Sequence, residues 1–328
     1  MGAPVSDPVS TPVSDLDRYT RTALAASGRV IGRYSTSFSW ACRTLPAAQR
    51  RDIAAIYAMV RVADEIVDGT AAAAGADPAE VRAALDGYEA ACERAMASGF
   101  STDLVLHAFA DVARRHGITP ALTAPFFASM RADLSTSEHG EESLARYIHG
   151  SAEVVGLMCL RVFASLPGTR ADTPAGRELL TSAACRLGAA FQKVNFLRDL
   201  AADHDGLGRT YFADARPGTL TEERKAELLA DLWADLDAAL PGIHALDPRA
   251  GRAVLLAHGL FAELAWRIAA VPAAELAERR VRVPDAVKAR IALRVLAGSR
   301  RDDGEHSRRA GRRNPTRSTR SIRPGGTA

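Results

Sequence analysis

The sequence contains few cysteines, and none of them lies in a motif for metal binding or redox chemistry. No Cys-x-x-Cys pair occurs among the 4 cysteines, and the 8 histidines form neither His-Glu-x-x-His nor another paired ligand spacing. These absences exclude zinc-finger, thioredoxin-like and zinc-protease sites. We expect Cys42, Cys92, Cys159 and Cys185, all in alanine-rich sequence, to be reduced residues of a cytoplasmic protein.

Long apolar runs and glycine-rich nucleotide loops are absent as well. No stretch of about 18 apolar residues occurs, so no membrane-spanning helix is expected. Neither Gly-x-Gly-x-x-Gly nor Gly-x-x-x-x-Gly-Lys-[Ser/Thr] is present, so no nucleotide site is indicated. Residues 1–15 lack the basic start and the apolar core of a signal peptide, and we expect a disordered segment there.

Acidic and apolar side chains become scarce at the end of the chain. Residues 299–328 contain nine arginines and three acidic residues, a net charge of +6, whereas the whole chain carries +3. The remaining residues are therefore acidic, with a net charge of −3. We expect residues 299–328 to form a disordered tail. Loose peripheral attraction to anionic lipid at the inner face of the membrane is favoured over binding to nucleic acid.

Alternating strand patterns are also rare, which predicts an all-α protein. Alanine, leucine, arginine and glutamate dominate, and helical periodicity recurs along the chain. Glycine and proline clusters divide the chain into about nine or ten helices. The predicted breaks include Gly117–Pro120, Gly206–Gly218 and Pro241–Pro248. No composition break splits residues 16–298, so we expect one domain there.

Two acidic motifs stand out against this background, Asp64-Glu-Ile-Val-Asp68 and Asp199-Leu-Ala-Ala-Asp203, which begin 135 residues apart. Aspartates at i and i+4 share one face of a helix, where like charges repel by about 0.2–0.5 kcal/mol when nothing binds them. One or two carboxylates completed by substrate phosphates are the usual arrangement for Mg²⁺. The two pairs therefore predict a site for divalent cations.

The residues around each motif place the carboxylates beside a cavity rather than in a solvated face. The first motif borders an apolar helical stripe, which consists of Ile53, Ile56, Val60, Ala63 and Val67. The second motif ends a polar stripe, which consists of Gly188, Gln192, Asn195, Asp199 and Asp203. A stripe of amides and carboxylates makes a poor core face and is typical of a cavity wall.

The segment from Leu187 to Asp203, Leu-Gly-Ala-Ala-Phe-Gln-Lys-Val-Asn-Phe-Leu-Arg-Asp-Leu-Ala-Ala-Asp, resembles the second signature of the squalene and phytoene synthases at every defining position. Three earlier segments have the order and spacing found in that family: Tyr34-Ser-Thr-Ser-Phe, residues 61–68 and residues 147–156. The resemblance covers roughly residues 28–298. It implies a single catalytic domain, in residues 16–298, built as an isoprenoid-synthase-type helical bundle around a central cavity.

The resemblance also implies roles for individual residues. The implied metal ligands are Asp64, Glu65, Asp68, Asn195, Asp199 and Asp203. The implied contacts to the substrate's diphosphate and prenyl groups are Tyr34, Ser35, Ser37, Phe38, Cys42, Arg61, Val155, Gly156, Gln192, Arg198, Tyr211 and Arg280. The four aspartates and Tyr147 are the implied catalytic residues. For the arginines the alternative is a salt bridge to the acidic motifs, and for the apolar residues it is core packing.

The implied activity is the head-to-head coupling of two prenyl diphosphates through prephytoene diphosphate, with Mg²⁺ or alternatively Mn²⁺ as the cofactor. Two molecules of geranylgeranyl diphosphate would give phytoene, in carotenoid biosynthesis, by loss of a proton and without NADPH. Cys42 lies one turn beyond Phe38 on the expected tunnel wall. Its small side chain favours this longer substrate. No obligate protein partner is expected.

Several alternatives stay open at this point. Squalene, dehydrosqualene and hydroxysqualene synthases, which act on farnesyl diphosphate, share the fold. Head-to-tail prenyl synthases and class I terpene cyclases fit the second acidic motif less well. A non-catalytic assembly factor of the family would have no need for four aspartates. Ile148, Glu153, Ala213 and Phe261 depart from the family pattern. We expect Ala213 to alter a turn, and Glu153 and Phe261 to affect phosphate contacts and pocket shape.

Overall fold

Every regular element is helical in the computed structural model of the chain, which describes residues 14–136, 139–207, 219–276, 278 and 280–298, without the side chains of residues 36, 37 and 201–207. The helices are α1 (Asp15–Tyr34), α2 (Thr36–Cys42), α3 (Ala47–Val67), α4 (Thr70–Ala73), α5 (Pro78–Ser98), α6 (Leu104–His116), α7 (Pro120–Ala132), α8 (Glu141–Ile148), a π-helical turn (His149–Glu153), α9 (Val154–Ala164), α10 (Pro174–Leu207), α11 (Glu222–His244), α12 (Pro248–Ala269), α13 (Ala273–Leu276) and α14 (Asp285–Leu296). The all-α prediction is confirmed. The predictions for the two termini concern residues 1–13 and 299–328, which lie outside the described residues.

Short polar motifs determine where helices begin and end in the first half of the chain. The hydroxyl of Ser14 accepts a hydrogen bond from the Asp17 amide at 3.0 Å, and the Asp17 carboxylate accepts one from the Ser14 amide. Asp77 caps α5 reciprocally with Glu80. Helix α6 ends at Gly117, whose φ of 66° favours glycine. These local signals explain why the break predicted at Gly117–Pro120 is found.

The helix boundaries differ from the prediction in two respects. The described residues contain 14 α-helices rather than nine or ten, because α2, α4 and α13 are too short to show a periodic pattern. The break predicted at Pro241–Pro248 is present but starts later than Pro241, because α11 continues to His244 and α12 begins at Pro248. Proline removes only one hydrogen bond so close to the helix end. Gly242 packs against Ala183 of α10, which holds this last turn in place.

The helices next to the π-helical turn pack with their backbones nearly in contact. A Cβ atom on Gly188 would lie 2.7 Å from the carbonyl oxygen of Ala152, and one on Gly156 would lie 2.7 Å from the carbonyl oxygen of Ala184. A Cβ on Gly150 would meet the α7 backbone at 2.2 Å. Only glycine permits these approaches, which draw α7, α9 and α10 together. The segment 147–156 is thereby positioned at the centre of the molecule.

Three hydrophobic clusters hold the helices together and leave a cavity between them. The largest is formed mainly by α1, α3, α5, α6, α7 and α9, the second by α8 and α10–α13, and the third by α2, α12 and α14. Phe38 packs against both larger clusters, so it marks their boundary. Each large buried side chain contributes about 1.5–3 kcal/mol to stability. None of the described helices combines the length and the apolar character needed to cross a bilayer.

Candidate active site

A cavity of about 1190 Å³ lies between the hydrophobic clusters and is lined by residues from both halves of the chain. Its exposed lining residues are polar and include Tyr34, Asp68 and Arg280, which mark the mouth. Its buried lining residues are largely apolar and include Cys42 and Phe163. The volume exceeds the ~300–1,000 Å³ of an ordinary small-molecule site. The cavity is therefore large enough for a long or paired substrate with a charged end.

Helix α3 brings the first acidic motif to the cavity at its C-terminal end. Arg61, Asp64 and Asp68 all line the cavity, as their spacing of three and four residues predicts. Asp68 is the C-cap residue, and its amide donates to the carbonyl oxygen of Asp64 at 2.8 Å. Two carboxylates at the negative end of a helix dipole favour a bound cation.

The environment of Asp64 leaves its carboxylate short of positive charge. Burial, together with the negative charges of Asp68 and Asp133, raises the pKa of Asp64 to about 7. Arg61 opposes this rise in the pKa, but its Nη1 lies 4.0 Å from Oδ2 of Asp64. The side chain is surrounded by protein yet 29% exposed, because it borders the cavity. A cation bound in the cavity would relieve this electrostatic cost.

Arg61 is held in place by Glu65, which does not line the cavity, and by Tyr34 at the cavity mouth. Its Nε donates to Oε1 of Glu65 at 2.9 Å, and its guanidinium lies 4.7 Å from the ring centre of Tyr34. The hydroxyl of Thr70 also donates to Glu65. Burial raises the pKa of Glu65, but the hydrogen bonds from Thr70 and Arg61 outweigh it and hold this pKa below its usual range. Glu65 therefore stays charged and orients Arg61 toward the cavity.

Helix α10 supplies a second acidic wall. Gln192, Asn195 and Asp199 line the cavity in one stripe. Arg198 grips Asp199, with Nε 2.9 Å from Oδ1 and Nη2 2.5 Å from Oδ2. Arg280 grips the same carboxylate from the loop before α14, with Nε 2.7 Å from Oδ1. Both arginines also line the cavity, so the salt bridge and the predicted substrate contact do not exclude each other.

The loop that carries Arg280 is anchored through a buried lysine. Nζ of Lys225 donates to the carbonyl oxygen of Val271 at 2.6 Å and pairs with Glu222 at 2.7 Å. Glu222 in turn accepts the amide of Ala273 at 2.5 Å. These contacts tie the start of α11 to the segment between α12 and α13. They limit where the following residues, including Arg280, can lie.

The predicted catalytic tyrosine, Tyr147, meets an aspartate that no sequence motif singled out, Asp133, at the same end of the cavity. The hydroxyl of Tyr147 donates to Oδ2 of Asp133 at 3.0 Å, and both residues line the cavity. Asp133 follows the last residue of α7, and its charge contributes to the raised pKa of Asp64. Three aspartates, Asp64, Asp68 and Asp133, therefore act on one another electrostatically in this wall.

The inner part of the cavity is lined by aromatic rings and small side chains. Phe191 and Phe261 stack with their ring centres 3.9 Å apart, and Phe38 lies 5.6 Å from Phe261. Burial raises the pKa of the Cys42 and Cys159 thiols to about 12, so both are neutral at physiological pH. The described aromatic and thiol groups of the inner surface are therefore uncharged. Its small lining residues include Gly156, Ala183, Ala184, Gly242 and Ala253.

The donor atoms on the two walls fit Mg²⁺. Carboxylate and amide oxygens are the hard ligands that this ion takes, and Asp64 faces the cavity with uncompensated charge. Among the described residues, no three His, Cys, Asp or Glu side chains are arranged to hold an ion by themselves. An ion here would use one or two carboxylates and complete its coordination with substrate phosphates and water.

The cavity brings together every predicted site residue whose side chain is described, with one exception. Glu65 does not line the cavity, because Arg61 and Thr70 hold its carboxylate elsewhere, so its assignment as a metal ligand is not supported. The side chains of Ser37, Asp203 and Tyr211 lie outside the described part. The charged lining residues that the sequence motifs missed are Asp133, Arg282, Asp285 and Lys288. An available signal was the alternation Arg-Val-Arg-Val at residues 280–283.

The residues that depart from the family pattern have different outcomes. Glu153 is not among the cavity-lining residues and lies 2.9 Å from Nδ1 of His149, so a direct effect on the pocket is not supported. Phe261 does line the cavity, where its ring takes part in the aromatic group and offers no hydroxyl. Ile148 is buried. Ala213 lies outside the described residues.

An all-helical frame around a cavity with two acidic walls is the architecture of the isoprenoid synthases. A crystal structure of a dehydrosqualene synthase shares this fold with a TM-score of 0.69 at 19% identity, covering 87% of this chain and 99% of that one. The squalene/phytoene synthase family profile matches residues 31–286, and the chain belongs to this family of prenyltransferases, which act on prenyl diphosphates.

Two proteins of similar sequence are named for different products. A phytoene synthase from Pseudescherichia vulneris is 29% identical over 255 residues, which cover 72% of this chain and 79% of that protein. A 4,4'-diapophytoene synthase from Staphylococcus haemolyticus is 30% identical over 213 residues, which cover 63% of this chain and 68% of that protein. Similarity alone therefore does not select one substrate length.

Proposed function

We propose that this protein is a phytoene synthase, which joins two molecules of geranylgeranyl diphosphate head to head in a Mg²⁺-dependent reaction. The observation that carries the proposal is the large cavity in which two aspartate-bearing helices meet an apolar interior. The polar mouth suits diphosphate groups, and the interior suits prenyl chains. Residues 16–298 are the proposed catalytic domain, and the family match at 31–286 falls within it.

The mouth residues would bind and orient the diphosphate. Asp64 and Asp68 on α3 and Asn195 and Asp199 on α10 would hold Mg²⁺, which neutralises the charge of the leaving diphosphate. Arg280 is half exposed, so its guanidinium can turn from Asp199 to a phosphate oxygen without leaving a buried charge unpaired.

The interior residues would protect the reactive carbon chain from water. An allylic cation reacts with any water that reaches it, so the cavity must be dry beyond the phosphates. The aromatic rings of the interior would stabilise such a cation through their faces; they belong to Phe38, Phe191 and Phe261. The neutral thiol of Cys42 offers no competing nucleophile.

The width of the interior supports the twenty-carbon substrate. Cys42 and Cys159 both line the cavity, and Cys42 contributes to the raised pKa of the Cys159 thiol, so the two residues lie close together. Small side chains at both positions leave space in the cavity for a long prenyl chain. The second candidate is a thirty-carbon product from farnesyl diphosphate, which the similarity to the 4,4'-diapophytoene synthase favours.

Product analysis with both substrates tests this proposal. The purified protein is incubated with geranylgeranyl or farnesyl diphosphate, with and without NADPH, and the hydrocarbon products are identified. We expect phytoene from geranylgeranyl diphosphate without NADPH, loss of turnover in EDTA and recovery on addition of Mg²⁺. A thirty-carbon product, or a product that requires NADPH, would replace the phytoene assignment but keep the coupling chemistry. Turnover that survives thorough chelation would contradict the proposed Mg²⁺ dependence, and no turnover at all would contradict the proposed enzyme.

A further inference from the structure

Helix α14 has an outer face that its packing does not explain. Ile291, Ala292 and Val295 face inward, where they pack with α12 and α2 in the third hydrophobic cluster. Ile291 lies so close to α12 that a Cβ on Gly259 would be 3.1 Å from its Cγ2. The helix is therefore held by one side, while residues on its opposite side are exposed to solvent.

The outer face exposes leucines. The side of α14 turned to solvent carries Leu293, which is 69% exposed, and Leu296, which is 55% exposed. Leucines three residues apart lie within one helical turn and form one small patch. The other exposed large hydrophobic residues of the described chain, such as Leu16 and Phe100, lie on separate elements.

Basic residues surround this leucine pair. Arg290 and Arg294 are exposed on the same stretch of α14, and Arg282 is exposed in the loop before it. Residues 280–298 contain four arginines, one lysine and one aspartate, a net charge of +4. Leucines flanked by arginines are typical of a helix that lies on an anionic lipid surface.

The same helix borders the mouth of the cavity. Its first turn contributes Asp285 and Lys288 to the lining, as does the preceding loop from Arg280. Leu293 lies eight residues beyond Asp285, which corresponds to about 12 Å along a helix. A surface that binds the leucines would therefore lie close to the cavity mouth.

We propose that the outer face of α14, formed by Arg290, Leu293, Arg294 and Leu296, docks the protein on an anionic lipid bilayer beside its cavity mouth. The proposal deepens the proposed function, since a hydrocarbon product has no place in water and would pass directly into the adjoining bilayer. The leucines enter the headgroup boundary, and the arginines pair with lipid phosphates.

Sedimentation of the full-length protein with lipid vesicles tests this surface. The vesicles contain phosphatidylcholine alone or with about 30 mol % phosphatidylglycerol, an anionic lipid. We expect binding to the anionic vesicles, which falls at least about tenfold when Leu293→Gln and Leu296→Gln are combined. Arg290→Gln combined with Arg294→Gln should weaken binding at low salt and have less effect at high salt. Leu16→Gln, at an equally exposed leucine of α1, is the matched control and should change nothing.

Equal vesicle binding by the wild type and the leucine variant would overturn the proposal. So would the loss of all binding when residues 302–328 are deleted and α14 is intact. A third contrary result would be a dimer in solution that the leucine substitutions convert to monomers. The last result would mean that a second copy covers the face. Turnover with detergent-solubilised substrate is measured in parallel and should not change in any variant. A protein without turnover whose vesicle binding still depends on α14 would contradict the proposed function and leave the docking surface standing.

Discussion

Arg280 and Asp199 are 81 residues apart in the sequence and form a two-point ion pair at the cavity mouth, with Nε 2.7 Å from Oδ1 and Nη2 3.2 Å from Oδ2. Arg198 binds the same carboxylate from the adjacent position. Asp199 is thus restrained before any substrate arrives. The pair joins the second acidic wall to the loop that leads into α14.

Replacement of Arg280 by glutamine should weaken catalysis without unfolding the protein. Loss of one charged phosphate donor at the cavity mouth should cost about 100-fold in turnover. The pair is half exposed on the arginine side, so stability should fall by no more than about 1 kcal/mol. Steady-state kinetics and thermal melting measure the two effects. Arg290→Gln, on the outer face of α14, is a control for the loss of an arginine. Unchanged turnover in Arg280→Gln would show that Arg280 only restrains Asp199.

Replacement of Asp64 by asparagine should separate catalysis from stability. Turnover should fall at least about 100-fold, because the first metal-binding wall loses a carboxylate. In EDTA, by contrast, the same replacement should raise the stability of the folded protein above pH 7. The folded state raises the pKa of Asp64 from 3.8 to about 7, so the folded protein holds this proton more tightly than the unfolded chain. The associated stability is present below about pH 4 and is lost as the pH rises toward 7.

Asparagine has no proton to lose, so Asp64→Asn should be more stable than the wild type at pH 8, by at least about 2 °C in melting temperature. At pH 5 the difference should shrink. Melting curves in EDTA at the two pH values provide the measurement. A strong loss of stability at both values would instead identify Asp64 as a structural partner of Arg61.

A larger side chain at Cys42 should shorten the accepted substrate. Phenylalanine there would extend into the inner cavity, where Cys159 lines the wall close by. We expect the ratio of kcat/KM for farnesyl over geranylgeranyl diphosphate to rise by about tenfold or more. Cys42→Ala leaves the cavity as wide as in the wild type and should leave the ratio of kcat/KM for the two substrates unchanged. If both variants shift the ratio equally, the thiol rather than the volume matters.

Deletion of residues 302–328 should leave the reaction with detergent-solubilised substrate nearly unchanged. The removed segment begins beyond the match to the family and beyond α14. The kinetic constants of the full-length and shortened proteins provide the comparison. A collapse of turnover in the shortened protein would place part of the active site in the tail and move the predicted domain boundary.

The sequence by itself determined the helical class, most helix boundaries and the two acidic stripes. These features depend on periodicity and on capping residues, which act over a few residues and can be seen in a row of letters. The stripes of Asp64 and of Asp199 lie on the cavity as their spacing predicts. The break at Pro241–Pro248 starts three residues later than Pro241 suggests, because packing of Gly242 on α10 outweighs the local cost of proline.

Only the tertiary structure decided which side chains meet. Asp133 has no motif of its own, and its place beside Tyr147 and Asp64 depends on how α7 packs against the π-helical turn. Glu65 belongs to the first acidic motif but faces Arg61 and Thr70 rather than the cavity. Asp64 and Glu65 are one residue apart, which is a rotation of about 100° on a helix. Which of the two side chains faces the cavity depends on helices far away in the sequence.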